Sequence, residues 1–206
     1  MRLFDTHAHY DDGKFENPHE YLKNLPSFSV EKVVNIGSNL ENSKKCLEFA
    51  KEYPHVYASA GIHPEYCEEI EDLEVAINEL EILCKEQKCI ALGEIGLDYH
   101  YTKENKEIQK ELFRKQLSLA QKLSLPVVVH DREAHADCMQ IIAEFKDVRG
   151  VMHSYSGSVE MVKELFELGY YISINGVVTF KNARKLHEVL EYIANEKREY
   201  LSRILV

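Results

Sequence analysis

The chain has 206 residues, 45% of them hydrophobic and 29% charged, with a formal net charge of −10. That length supports one substantial core and is short for two, so a single domain over residues 1–206 is expected. No apolar run approaches the roughly 18–20 residues of a membrane span, the N-terminus turns polar too early for a signal peptide, and a cytoplasmic location is the default expectation.

In chain order, short apolar, β-branched runs alternate with longer amphipathic segments. Strands are expected over Arg2–Asp5, Lys32–Ile36, Val56–Ala60, Ile90–Glu94, Pro126–His130, Val151–His153 and Tyr171–Ile174, with the start of an eighth at Arg203–Val206. Runs such as Val33-Val34-Asn35-Ile36 and Val127-Val128-Val129 suit strands covered on both faces, as in a parallel sheet. Between them, Glu41–Tyr53, Leu73–Cys84 and Gln109–Leu123 carry apolar residues at helical spacing, Gln116 falling inside the last stripe. These stripes are read as core packing without chemistry. The rhythm fits an eight-fold (β/α) barrel or a doubly wound sheet, and no Gly-x-Gly-x-x-Gly follows the first strand to favour dinucleotide binding. The five cysteines, Cys46, Cys67, Cys84, Cys89 and Cys138, include no Cys-x-x-Cys pair. They read as reduced, packed thiols rather than a disulfide framework or a zinc knot.

Polar residues separate the two architectures. His7 and His9 follow strand one, His63 strand three, Glu94 and Asp98 strand four, His130 strand five and His153 strand six. In a barrel these carboxyl ends converge on one mouth, where active sites of the fold are built. Residues two apart in extended chain face the same way, so His7 and His9 can reach one cation. Glu94, between Gly93 and Ile95-Gly96 at the end of a buried strand, is costly to bury unless paired or on a metal. Its two oxygens could bridge two cations. His130 and His153 fit a second metal position. His63, in Gly61-Ile62-His63-Pro64, could ligate or could bind a phosphate as a cation, and the phosphate role is favoured. Arg132 is a candidate phosphate clamp or a solvated loop arginine. The acidic balance argues against a broad electrostatic surface for nucleic acid, yet bound cations can supply positive charge locally.

Asp5-Thr6-His7-Ala8-His9, Gly61-Ile62-His63-Pro64, Gly93-Glu94-Ile95-Gly96-Leu97-Asp98, Val129-His130-Asp131-Arg132 and His153-Ser154-Tyr155-Ser156-Gly157 resemble, in order and spacing, the TatD-type metal-dependent deoxyribonucleases. These belong to the amidohydrolase-like (β/α) barrels. The resemblance implies a (β/α)8 TIM-type barrel and a divalent-metal-dependent hydrolase of DNA phosphodiesters, a 3′–5′ exodeoxyribonuclease working through a water activated by two cations. It implies that His7 and His9 hold one metal, that Glu94 bridges, and that His130 and His153 hold the second. The metals could be zinc, manganese, nickel or magnesium. The family carries a further acidic ligand just beyond strand eight, in a Glu-Thr-Asp motif. This chain ends at Val206, where that motif is expected to begin. A C-terminally incomplete barrel with a weakened first metal site is therefore expected. Alternatives are another ester or amide hydrolase of the amidohydrolase type, whose members usually bridge with lysine, and a catalytically impaired metal-binding protein.

Overall fold

The structure is a computed structural model that describes residues 2–100, 104–196 and 204–205. Its strands are β1 (Leu3–Ala8), β2 (Val30–Asn35), β3 (Val56–Ala60), β4 (Cys89–Asp98), β5 (Val127–Arg132), β6 (Gly150–Met152), β7 (Tyr171–Ser173) and β8 (Ile204–Leu205). They form one sheet in chain order, each parallel to the next. The intervening helices are α1 (Pro18–Asn24), α2 (Leu40–Glu52), α3 (Leu73–Cys84), α4 (Lys106–Leu123), α5 (His135–Glu144), α6 (Val159–Glu167) and α7 (Arg184–Glu196). This is the (β/α)8 TIM-type barrel, and among the described residues β8 pairs with β7 and not with β1.

Apolar residues sort onto two sides of the sheet because successive strand side chains point to opposite faces. Val34, Ile36, Ala91 and Val128 form a small inner cluster with Tyr57, Ile90 and Val151, joining residues from β2 through β6. The alternate residues Val33, Ala58, Leu92, Val127 and Val129 join the main core, which fills the space between sheet and helices. Local signals set the helix starts: Asn39, Asp72 and Ser158 cap α2, α3 and α6 by accepting from the backbone N–H three residues on. Helix α4 ends where Ser124 turns left-handed at φ 55°.

Several element boundaries differ from the sequence expectation, and the differences position the site. Strand β4 does not stop at Glu94 but stays paired with β5 out to Asp98, opposite Arg132. Glu94 therefore lies within a strand, not at its end. Strand β1 runs on through Ala8, which fixes His7 inside the sheet, and β6 stops at Met152, one residue before His153. Helix α4 begins three residues earlier than the apolar stripe at Gln109. Of the expected eighth strand, Arg203 and Val206 lie outside the described residues.

Two glycines allow the crowding around β4. A Cβ on Gly93 would sit 2.6 Å from the Val128 side chain, and one on Gly96 would sit 2.0 Å from the His130 carbonyl oxygen. Gly96 also has φ +139°, a conformation that L side chains rarely adopt. Strands β4 and β5 approach closely enough to put Glu94 beside His130 because no side chain intervenes at these points.

Candidate metal centre

His7, His9, His63, Glu94, His130, Arg132 and His153, all singled out in the sequence, line one cleft of about 510 Å³ at the carboxyl ends of the strands. Asp131, Ser154, Tyr155, Ser156, Asn175 and Val177 complete its wall. Glu94 is the hub. Its Oε1 lies 3.0 Å from Nδ1 of His130 and its Oε2 3.4 Å from Nε2 of His7. One buried carboxylate thus faces a different histidine with each oxygen. Burial alone would push its pKa up, but hydrogen bonds from His130 and His7 outweigh that and hold it well below the usual carboxylate range.

On the β1 side, Nε2 of His7 and Nε2 of His9 are 3.0 Å apart. Two lone pairs cannot face each other at that distance, so a proton or a cation must lie between them. Nδ1 of His7 is buried with no partner. The His153 ring stacks on His7 with centroids 3.4 Å apart and planes 12° from parallel, and its Nδ1 lies 3.3 Å from the Ser173 hydroxyl. Burial, then the neighbouring His7, lowers His153 to about 3 and also lowers His9. Both rings are neutral near pH 7, with lone pairs to offer.

On the β5 side, His130 is held by two carboxylates, Glu94 at Nδ1 and Asp98 Oδ2 at 3.0 Å from Nε2. Burial pulls its pKa down, but the hydrogen bonds to Asp98 and Glu94 more than reverse this and raise it to about 9. His63 meets His130 edge to face at 4.3 Å, and burial, then His130, lowers His63 to about 4. At neutral pH His63 is an uncharged imidazole, so as it stands it can donate a hydrogen bond or offer a lone pair but cannot serve as a fixed cation. The ligand atoms of His7, His9 and Glu94 fall within 4.8 Å of one another, as do those of His63, Glu94 and His130. The orphaned His7 nitrogen, the close pair of His7 and His9 ring nitrogens and the shared carboxylate are a donor set suited to divalent cations. His153 falls in neither group of three, being stacked on His7 instead.

Several residues that shape the site were not singled out. Gln116, read as part of an apolar stripe, is fully buried and bonds both backbone groups of Ile62, accepting from its N–H at 2.8 Å and donating to its carbonyl at 2.9 Å. Gln109, seven residues earlier on the same face of α4, grips Asp98 in the same way at 2.8 and 2.9 Å. One helix therefore fixes the backbone of both the residue before His63 and the residue whose carboxylate holds His130. Asn35 is also fully buried; it accepts from the Tyr10 N–H at 2.7 Å and donates to Asp11 at 2.9 Å, tying the chain beyond His9 to β2. The available signal was a polar side chain within an apolar pattern. Asp11 accepts a further bond from Asn42.

A family model described as TatD related DNase matches residues 4–205. The chain is 37% identical over 198 residues to the uncharacterized metal-dependent hydrolase YabD of Bacillus subtilis, covering 95% of this chain and 77% of that protein. It is 34% identical to the uncharacterized metal-dependent hydrolase YcfH of Escherichia coli K12, covering 94% and 74%. Among solved structures it is similar to YjjV, a TatD homolog from Escherichia coli K12, with TM-score 0.88 and 30% identity over all of this chain and 78% of that one. A phosphotriesterase homology protein from Escherichia coli, at 16% identity and TM-score 0.67, shares the fold.

Proposed function

This chain belongs to the TatD-related DNase family, and from that premise we propose that it is a divalent-metal-dependent hydrolase of nucleic-acid phosphodiesters, removing nucleotides from the 3′ end of DNA. The observation that carries this reading is Glu94, whose two oxygens face His7 and His130 separately inside one cleft. We assign His7 and His9 to a first cation, Glu94 to both, and His130 to a second, with His63 close enough to Glu94 and His130 to join that set; His153, stacked on His7, would have to turn towards His130 to share it. Zinc, manganese, nickel and magnesium are the candidates.

When bound, the cations would supply Lewis-acid polarisation of the phosphoryl group and a more acidic water. The protein's own groups do the rest. Glu94, ionised, supplies negative charge shared between the two halves of the cleft. The neutral rings of His9 and His153 present lone pairs without having to lose a proton first. Asp98, gripped by Gln109, holds the His130 ring in place through Nε2. Arg132 at the rim offers a planar fork for phosphate oxygens, and the neutral His63 can donate to another. Five buried thiols fit a reducing, cytoplasmic setting.

The test is cleavage of end-labelled single-stranded DNA by chelator-stripped protein to which one metal at a time is returned. The expected result is metal-dependent, stepwise loss from a 3′ label, abolished in Glu94→Gln. Cleavage that persists in chelator, or none with any of the four metals, would overturn the reading. Cleavage of carboxyl esters but not DNA would move the protein to another branch of metal-dependent hydrolases.

A further inference from the structure

The backbone and the ring of His153 are fixed by two different strands. Its N–H donates to the Val129 carbonyl of β5 at 2.8 Å, while its Nδ1 lies 3.3 Å from the hydroxyl of Ser173, the last residue of β7. Ser173 is buried. Its side-chain oxygen accepts from the Ser154 N–H and its carbonyl from the Tyr155 N–H, each at 2.9 Å. Ser154 makes that bond from a left-handed backbone at φ 46°, a conformation uncommon for a residue other than glycine. Asn175, two residues beyond Ser173, donates to the Ser154 side-chain oxygen at 2.6 Å. The chain after His153 is thus folded down onto the end of β7, and the partner its ring meets there is a hydroxyl.

Hydrogen-bonding capacity gives that contact a direction. A serine hydroxyl has one hydrogen and two lone pairs. The Ser154 N–H takes one lone pair, and among the described residues the acceptor at hand for the hydrogen is Nδ1 of His153. The neutral ring has one N–H and one lone pair, so its hydrogen then stands on Nε2. If Nε2 gives its lone pair to a cation instead, the hydrogen stands on Nδ1 and the second lone pair of Ser173 accepts it. One hydroxyl serves both states by turning about its Cβ–Oγ bond. A carboxylate at that position would only accept, and an alanine would do neither.

We propose that Ser173 is a positioning residue of the metal centre, its hydroxyl fixing which ring nitrogen His153 offers to a cation. This rests on the metal-dependent reading above and adds to it a residue outside the set of histidines and Glu94.

The test has two readouts on the full chain. In chelator, nitrogen NMR of isotope-labelled histidine rings reports where each hydrogen stands and whether the other nitrogen accepts a bond. Wild-type His153 is expected to carry its hydrogen on Nε2, with Nδ1 as an acceptor. Ser173→Ala should move the His153 Nδ1 signal to that of an unbonded nitrogen and leave the His63 ring unchanged, and Ser173→Thr, which keeps the hydroxyl, should return it. In the second readout, zinc is titrated calorimetrically into chelator-stripped protein. Ser173→Ala is expected to weaken one binding event about tenfold or more and spare the other, with Ser173→Thr close to wild type. A hydrogen on Nδ1 in the metal-free wild type, a Nδ1 signal that ignores Ser173→Ala, equal weakening of both events, or no recovery in Ser173→Thr would overturn the proposal. A wild type that binds no zinc, alongside a Nδ1 signal that depends on Ser173, sinks the metal-dependent reading and leaves the bond between Ser173 and His153 standing.

Discussion

Replacing Gln116 with methionine keeps volume and shape and removes both hydrogen bonds to Ile62. Gln116 is fully buried and Ile62 is 2% exposed, so water cannot substitute for either bond. The Ile62 N–H and carbonyl would both be left unpaired, at about 1–3 kcal/mol each. A near-isosteric apolar swap adds under about 1.5 kcal/mol of packing change. The net loss is therefore roughly 4 kcal/mol. For a chain of this size each kcal/mol moves Tm by about 2–4 °C, which predicts a drop of about 10 °C. Calorimetry gives the total, and amide hydrogen exchange gives the location. The Ile62 amide should lose protection, whereas the His63 amide, which donates to Ser38 at 2.8 Å, should keep it. A Tm within about 2 °C of wild type, with the Ile62 amide still protected, would refute the clamp.

Asn35→Ala removes the bonds to Tyr10 and Asp11. It should lower stability by about 1–3 kcal/mol and weaken metal binding at His7 and His9 about tenfold or more, read by competition with a chromogenic chelator; equal affinity would mean the chain beyond His9 holds itself. Gly96→Ala places a Cβ against the His130 carbonyl at a positive φ and should yield protein that is insoluble or melts far below wild type. Gly13→Ala, where nothing lies within 4 Å, should stay within about 0.5 kcal/mol of wild type. A soluble Gly96→Ala variant with wild-type Tm would contradict the crowding between β4 and β5.

The barrel was legible because its strands are covered on both faces, so Val33-Val34 and Val127-Val128-Val129 read as unbroken apolar runs between amphipathic helices. The mouth was legible for a related reason. A histidine or carboxylate directly after such a run is conspicuous, and His7, His63, Glu94, His130 and His153 all meet in the cleft. Hydrophobic pattern does not say where pairing stops. Strand β4 continues to Asp98 because β5 lies alongside it to Arg132, a fact of tertiary pairing. The stacking of His153 on His7 depends on ring orientations that sequence spacing does not contain. The charge state of His63 follows from its burial against His130, again a product of the assembled site. Gln109 and Gln116 were visible as polar residues at i and i+7 on one helix face, but their partners, Asp98 and Ile62, lie 11 and 54 residues away.

The account depends most on Glu94 serving two cations at once, and the direct measurement is metal stoichiometry and affinity by calorimetric titration of chelator-stripped wild type and Glu94→Gln. The account predicts two ions bound per wild-type chain and a loss of affinity for both in the variant, with the fold intact by circular dichroism. Two ions bound with unchanged affinity in Glu94→Gln, or no stoichiometric binding by the wild type, would contradict it.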